Sequence, residues 1–271
     1  MDVLNNTDIK IMTPGPTQVA DNVYRARSLR TTNPDLDPAF YDFYRDTCHL
    51  FGKLIHTKNA CFILGGEGIL GLEAACASLT EPGEVLRDYL EKDHAFKYAT
   101  LVHSDTPSGL LNPVEALCPI LKKYGILTVV DSVTGMFADE LDVDRAQIDI
   151  VCGGSQKALS APPGLTLVAV SEDAFAAMHQ RKEPIRSFYA NLLTFETYYE
   201  DQWFPYTMPV SDIMGLRQAL ENVASDPEHL KRHAVIAAAT RKALTDAGLT
   251  LYLESGFASS VTVFYVPEGM K

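Results

Sequence analysis

Between Asn59 and Val170 the chain alternates short apolar runs with stretches whose apolar residues recur at helical spacing. This alternation restricts the fold more than any other feature. NACFIL from Asn59, YATLVH from Tyr98, ILTVVD from Ile126, IDIVCG from Ile148 and LTLVAV from Leu165 read as strands. LEAACASL and PVEALCPILKKYG, the latter closed by Gly125, read as helices between them. Strands that alternate with helices predict an α/β domain around a mainly parallel sheet. Before this region lie a Pro/Gly-rich arm, Thr13-Pro14-Gly15-Pro16-Thr17, and a helical pattern from Pro38 to Leu54. After Ala174 the pattern is mostly helical, including the run from Pro227 to Ala247. SSVTVFYV from Ser259 then reads as the first strand of something else.

In parallel sheets the working residues gather where strands end and loops begin. Three strand ends here are chemically loaded: Gly65 to Ile69, Asp131 to Val133, and Gly153 to Lys157. Gly65-Gly66-Glu67-Gly68 before a helix offers backbone N–H groups and the positive end of the helix dipole to an anion. The same glycines also suit a plain tight turn. Asp131 closes an apolar strand, where a carboxylate is costly unless paired. It reads either as the counter-ion of a bound cation or as a cap for the turn DSVTG. Lysines are mostly solvated, but Lys157 sits between a buried strand and the Ala161-Pro162-Pro163-Gly164 turn, a setting that suits an amine used in Schiff-base chemistry. An anion-binding helix start, a strand-end Asp and a strand-end Lys are together the three handles that a pyridoxal phosphate site needs.

Composition narrows the partners. The net charge of −12 and pI near 5.0 argue against nucleic acid. The five cysteines, Cys48, Cys61, Cys76, Cys118 and Cys152, are scattered and odd in number, which points away from a disulfide framework or a zinc knuckle and towards a reduced, cytoplasmic setting. No secretory signal pattern opens the chain, and no apolar run is long enough to span a membrane.

At the motif level the sequence resembles the class V aminotransferases of fold type I, most of all the alanine–glyoxylate and serine–pyruvate group. TPGPT, GGEGILGLEAA, HSDTPSG, VVDSVTG, GGSQKALSAPPG and FPYTMPVSDIMGLRQAL carry the resemblance, in the family's order. It implies that Lys157 forms the Schiff base with pyridoxal phosphate and then moves the substrate proton. Asp131 would pair with the pyridine nitrogen and Val133 would pack beneath the ring. Glu67, Gly68 and Ile69 would present the phosphate-binding backbone with help from Gln156, and Thr106 would contact the cofactor. Thr207 would reach the phosphate held by a neighbouring subunit, which implies a homodimer, and Gly15 would line the substrate pocket. Cysteine desulfurases place His before the lysine, where Gln156 stands here.

The resemblance divides the chain into an arm (1–20), a cofactor-binding large domain (21–255) and the start of a shortened small domain (256–271). Two departures accompany it. The family's segment with two sheet strands and the ring-stacking aromatic is missing near 86–87, and the C-terminal arginine that binds a substrate carboxylate is not reached. Phe204 also stands where some relatives have a tyrosine. The expected activity is transfer of an amino group from alanine or serine to glyoxylate or pyruvate. The alternative is a catalytically impaired homologue that serves as a regulatory subunit.

Overall fold

The structure, a computed structural model, describes residues 13–79 and 96–269. The expected junction near 86–87 lies outside them. The first helix, α1 (Asp21–Arg27), was not evident in the hydrophobic pattern because it is short and buries only Val23. Helix α2 spans Pro38–Leu54, as the periodicity predicts. Asp37 caps it by accepting from the Ala39 N–H at 3.0 Å, and Pro38 occupies its first turn, where a missing N–H costs nothing. Phe40, Tyr44, Cys48 and Phe51 recur along its buried face.

Five strands form the main sheet: β1 (Ala60–Gly65), β2 (Tyr98–Val102), β5 (Leu127–Asp131), β6 (Ile150–Gly154) and β7 (Leu165–Val170), in the order β1-β7-β6-β5-β2. β2, β5 and β6 pair in parallel, whereas β7 runs antiparallel to both β6 and β1. Four strands thus point one way and one is reversed, so the sheet is mainly parallel. Every residue of β6 and β7 is buried, which explains their near-continuous apolar sequences. A small hairpin, β3 (Ser104–Asp105) with β4 (Leu110–Leu111), follows β2 and is not evident in the sequence pattern.

Helix α3 (Gly68–Leu79) packs on β6 and β7, and α4 (Val114–Lys123) on β5 and β2. Gly125, at φ +73°, ends the latter as expected. Helices α5 (Glu172–His179), α6 (Val210–Ala224) and α7 (His229–Asp246) follow. The expected strand from Ser259 does not form. The segment makes a single bridge, Phe264 to Leu251, while Phe257 just before it bridges Leu110 of β4.

Candidate active site

The three loaded strand ends meet. Glu67, Gly68, Ile69, Thr106, Asp131, Val133, Gln156 and Lys157 all line one cavity of about 370 Å³ at the carboxyl ends of β1, β5 and β6. The remaining wall comes from Leu72, Val102, Ser104, Asp105, Pro107 and Thr134.

The first strand end turns through Gly66, whose N–H donates to the Gly164 carbonyl at 2.7 Å. Thr166 on β7 donates its hydroxyl to the carbonyls of Gly66 and Glu67, pinning the turn from beneath. With those carbonyls occupied below, α3 begins at Gly68 beside the cavity. Gly68 is required by close approach: a Cβ there would lie 2.4 Å from a Val133 methyl. The first and second strand ends therefore touch directly.

At the second strand end Asp131 caps its turn and faces the cavity. Its Oδ1 accepts the Val133 N–H at 2.9 Å, which caps the turn, and the side chain also lines the cavity. Burial pushes the Asp131 carboxyl above its ordinary pKa, while the Val133 N–H and the nearby Lys157 charge pull it down. A buried carboxylate of this kind gains from a cationic partner brought in by a ligand. Thr134, next to Val133, shares a 2.7 Å hydrogen bond with Thr106, so the β5 loop and the β3–β4 hairpin are tied across the cavity.

The third strand end carries Gln156 and Lys157. The arm lies along them, with Thr17 N–H donating to the Gln156 carbonyl (3.0 Å) and Thr17 Oγ1 to the Lys157 carbonyl (2.8 Å). Gly15 packs on the lysine side chain so closely that a Cβ would lie 2.4 Å from Lys157 Cδ. Gly15 is not itself a wall of the cavity; it contacts the cavity through Lys157. The buried Oε1 of Gln156 has no hydrogen-bond partner among the described residues. Thr207 is exposed and does not line the cavity of its own chain.

These residues fit pyridoxal phosphate. Lys157 would supply the amine, Asp131 the buried carboxylate for a ring nitrogen, and the backbone at the start of α3, with the Gln156 amide, the polar end for an anion. Ser104, Asp105 and Thr134 escaped the sequence reading. The only signal for them was their presence inside HSDTPSG and DSVTG, and their convergence depends on the hairpin and on the Thr106–Thr134 bond.

A family model described as aminotransferase class V matches residues 70–259. The pyridoxamine–pyruvate transaminase of Mesorhizobium japonicum is 30% identical, over 96% of this chain and 77% of the relative. The alanine–glyoxylate aminotransferase of Rattus norvegicus is 27% identical, over 77% of this chain and 56% of its own length. Among solved structures, pyridoxamine–pyruvate aminotransferase from Mesorhizobium loti superposes with a TM-score of 0.88 at 28% identity, covering 96% of this chain and 78% of that one. No described helix is long and apolar enough to cross a membrane. With a family model across most of its length and a 30%-identical relative across nearly all of it, the chain belongs to the class V aminotransferases, enzymes of fold type I that use pyridoxal phosphate, in the group of the alanine–glyoxylate enzymes.

Proposed function

We propose that the chain moves an amino group from a small amino acid, alanine or serine, to a 2-oxo acid such as glyoxylate or pyruvate, with Lys157 holding pyridoxal phosphate as a Schiff base. The observation that carries this reading is the convergence of Lys157, Asp131 and residues Glu67, Gly68 and Ile69 on one cavity. Bound there, the cofactor supplies an electron sink for a substrate that loses its α-proton. Lys157 Nζ takes that proton and returns it to the neighbouring carbon. The Asp131 carboxylate holds a proton on the ring nitrogen. Val133 packs beneath the ring, and Thr106, fixed by Thr134, bounds its edge. Glu67, Gly68, Ile69 and Gln156 take the phosphate end, and Gly15 holds Lys157 from the substrate side.

Lys157→Ala tests this directly. The purified wild type with pyridoxal phosphate should show visible absorbance that the variant loses, and the variant's transamination should fall by roughly 10²–10⁴-fold. Unchanged absorbance in the variant would sink the proposal. The donor screen includes pyridoxamine, named for the 30%-identical relative, beside alanine and serine.

A homodimer fits the surface. Thr207 is exposed beside Tyr206, which stacks on Tyr189 at 4.4 Å, and Phe188, Tyr189 and Trp203 are each more than half exposed. A second copy covering these aromatics would bring Thr207 to the neighbour's phosphate. Sedimentation at micromolar concentration should give twice the 29.8 kDa chain mass. The odd number and scattered placing of the cysteines support a reducing, cytoplasmic location. Residues 21–255 then form the cofactor domain, and 256–271 begin a smaller one.

A second reading, an impaired homologue that regulates another subunit, is favoured by the cavity's composition. Lys157 is the only cationic side chain among its described lining residues, so no arginine faces a substrate carboxylate there. The alignment with the Mesorhizobium japonicum relative also spans 303 positions against 271 residues, so that relative carries residues without counterpart here. Cofactor absorbance without turnover on any donor would favour this reading.

A further inference from the structure

His103 stands behind the cavity rather than in it. It follows β2 directly and is 3% exposed. Its backbone N–H donates to the Asp131 carbonyl at 2.7 Å, extending the β2–β5 pairing by one step, and its carbonyl accepts from the Asn112 N–H at 2.8 Å. Its ring Nδ1 lies 2.8 Å from the hydroxyl of the fully buried Ser132. The ring also occupies the space over Gly135, where a Cβ would sit 2.6 Å from Nδ1.

The turn from Ser132 to Gly135 carries three parts of the site. It presents the Val133 N–H that orients the Asp131 carboxylate, the Val133 side chain that meets Gly68, and the Thr134 hydroxyl that bonds Thr106. One side of this turn is held by β6, through Ser132 N–H to the Cys152 carbonyl at 2.9 Å. The other side is held by His103. We propose that His103 is a positioning residue that fixes the Ser132–Gly135 turn, and with it the orientation of the Asp131 carboxylate towards the cofactor ring.

The ring's charge state suits that task. Burial lowers the His103 pKa, while the carboxylates of Asp139, in the loop after the turn, and Glu115, on α4, pull it up less strongly. A neutral ring leaves the Asp131 charge for the ligand; an imidazolium immediately behind it would compete for the same carboxylate. The hydrogen bond to Ser132 needs no charge on either partner.

This inference rests on the cofactor role of Asp131 proposed above, and the test separates the two. His103→Leu removes the ring hydrogen bond at similar bulk, His103→Asn restores a polar atom near the Nδ1 position, and Ser132→Ala removes the partner hydroxyl without opening a cavity. Affinity for pyridoxal phosphate is read by fluorescence quenching of the cofactor-free protein, and the pH midpoint of the bound cofactor's visible absorbance by titration. His103→Leu and Ser132→Ala should each bind the cofactor about tenfold more weakly, the worth of one ordinary hydrogen bond. Both should move the absorbance midpoint, and His103→Asn should recover most of the change. If His103→Leu does not fold, Ser132→Ala carries the test alone. Variants that lose only thermal stability, with affinity and midpoint as in the wild type, overturn the positioning role. Wild-type protein whose absorbance does not depend on Lys157 or Asp131 overturns the underlying reading instead.

Discussion

Gly15 shows how a single missing side chain can be part of a site. Its backbone, at φ +150°, passes so near Lys157 that an added methyl would overlap Cδ and press on Cε and Nζ, both at 2.9 Å. The arm is anchored beside it by Thr17, so the clash cannot be relieved simply by moving the arm away. Gly15→Ala should therefore displace the lysine amine and reduce transamination by about a hundredfold, in line with the sensitivity of reacting groups to misplacement of about 1 Å. The melting temperature should change by only a few degrees, because the arm contributes little to the core. Full activity in that variant would mean that Lys157 has room the structure does not show. Gly15 was legible in the sequence only through its resemblance to a family motif. Nothing in TPGPT says that the arm lies along Lys157, since that contact joins residues 140 positions apart.

At the level of elements, the outer edge of β1 illustrates what pattern reading finds and what it leaves out. The apolar run predicted the strand, and the spacing of Phe40, Tyr44, Cys48 and Phe51 predicted the helix that covers it. The link between the two was not legible. Tyr44, wholly buried, donates its hydroxyl to the Ile63 carbonyl (2.9 Å) and accepts the Ile63 N–H (2.8 Å), closing one rung of a strand edge that has no neighbouring strand among the described residues. Burial raises the Tyr44 pKa well above its ordinary value, so the phenol keeps the proton this pairing needs. Tyr44→Phe leaves both Ile63 groups without partners inside the core and should cost about 1–3 kcal/mol, measured by urea unfolding. A cost below a few tenths would show that water replaces the hydroxyl. The reversed direction of β7 is a different case, because its cause was present in the sequence. A parallel connection needs a dozen or more residues, usually with a helix. Only Ser155–Gly164 separates β6 from β7, and that loop contains Lys157 and two prolines. The same short loop that forces the reversal also places the lysine at the cavity.

For the whole molecule, the sequence supplied the α/β class and the three strand ends, because each depends on local apolar pattern and turn chemistry. The cavity's other wall came from pairings between distant residues, as did the histidines that now bear on stability. His103, His229 and His233 are all pushed below the ordinary histidine pKa, in each case chiefly by burial. At His233 the neighbouring His229 ring, with centroids 4.8 Å apart, and Arg232 lower it further against the pull of Asp139. At His229 the nearby Phe137 backbone opposes the shift. A group whose pKa is lower in the folded state binds fewer protons there than in the unfolded chain, so unfolding takes up protons and stability falls as pH drops through the ordinary histidine range. Asp131, shifted upward, has the opposite sign, but its window lies lower, in the carboxylate range. Net charge also acts in the opposite direction: acidification towards the pI near 5.0 relieves the self-repulsion of a −12 chain. Salt separates the two effects, since at about 0.3 M it screens charges spread over the surface far more than buried rings. Urea unfolding of the cofactor-free protein in that salt should thus show stability decreasing from about pH 7.5 to 5.5. His233→Asn should flatten the slope, because it removes one titrating ring. A flat profile in the wild type would mean that these rings take up protons without unfolding, and the helix that carries His229 and His233 would then be open to water at its first turn.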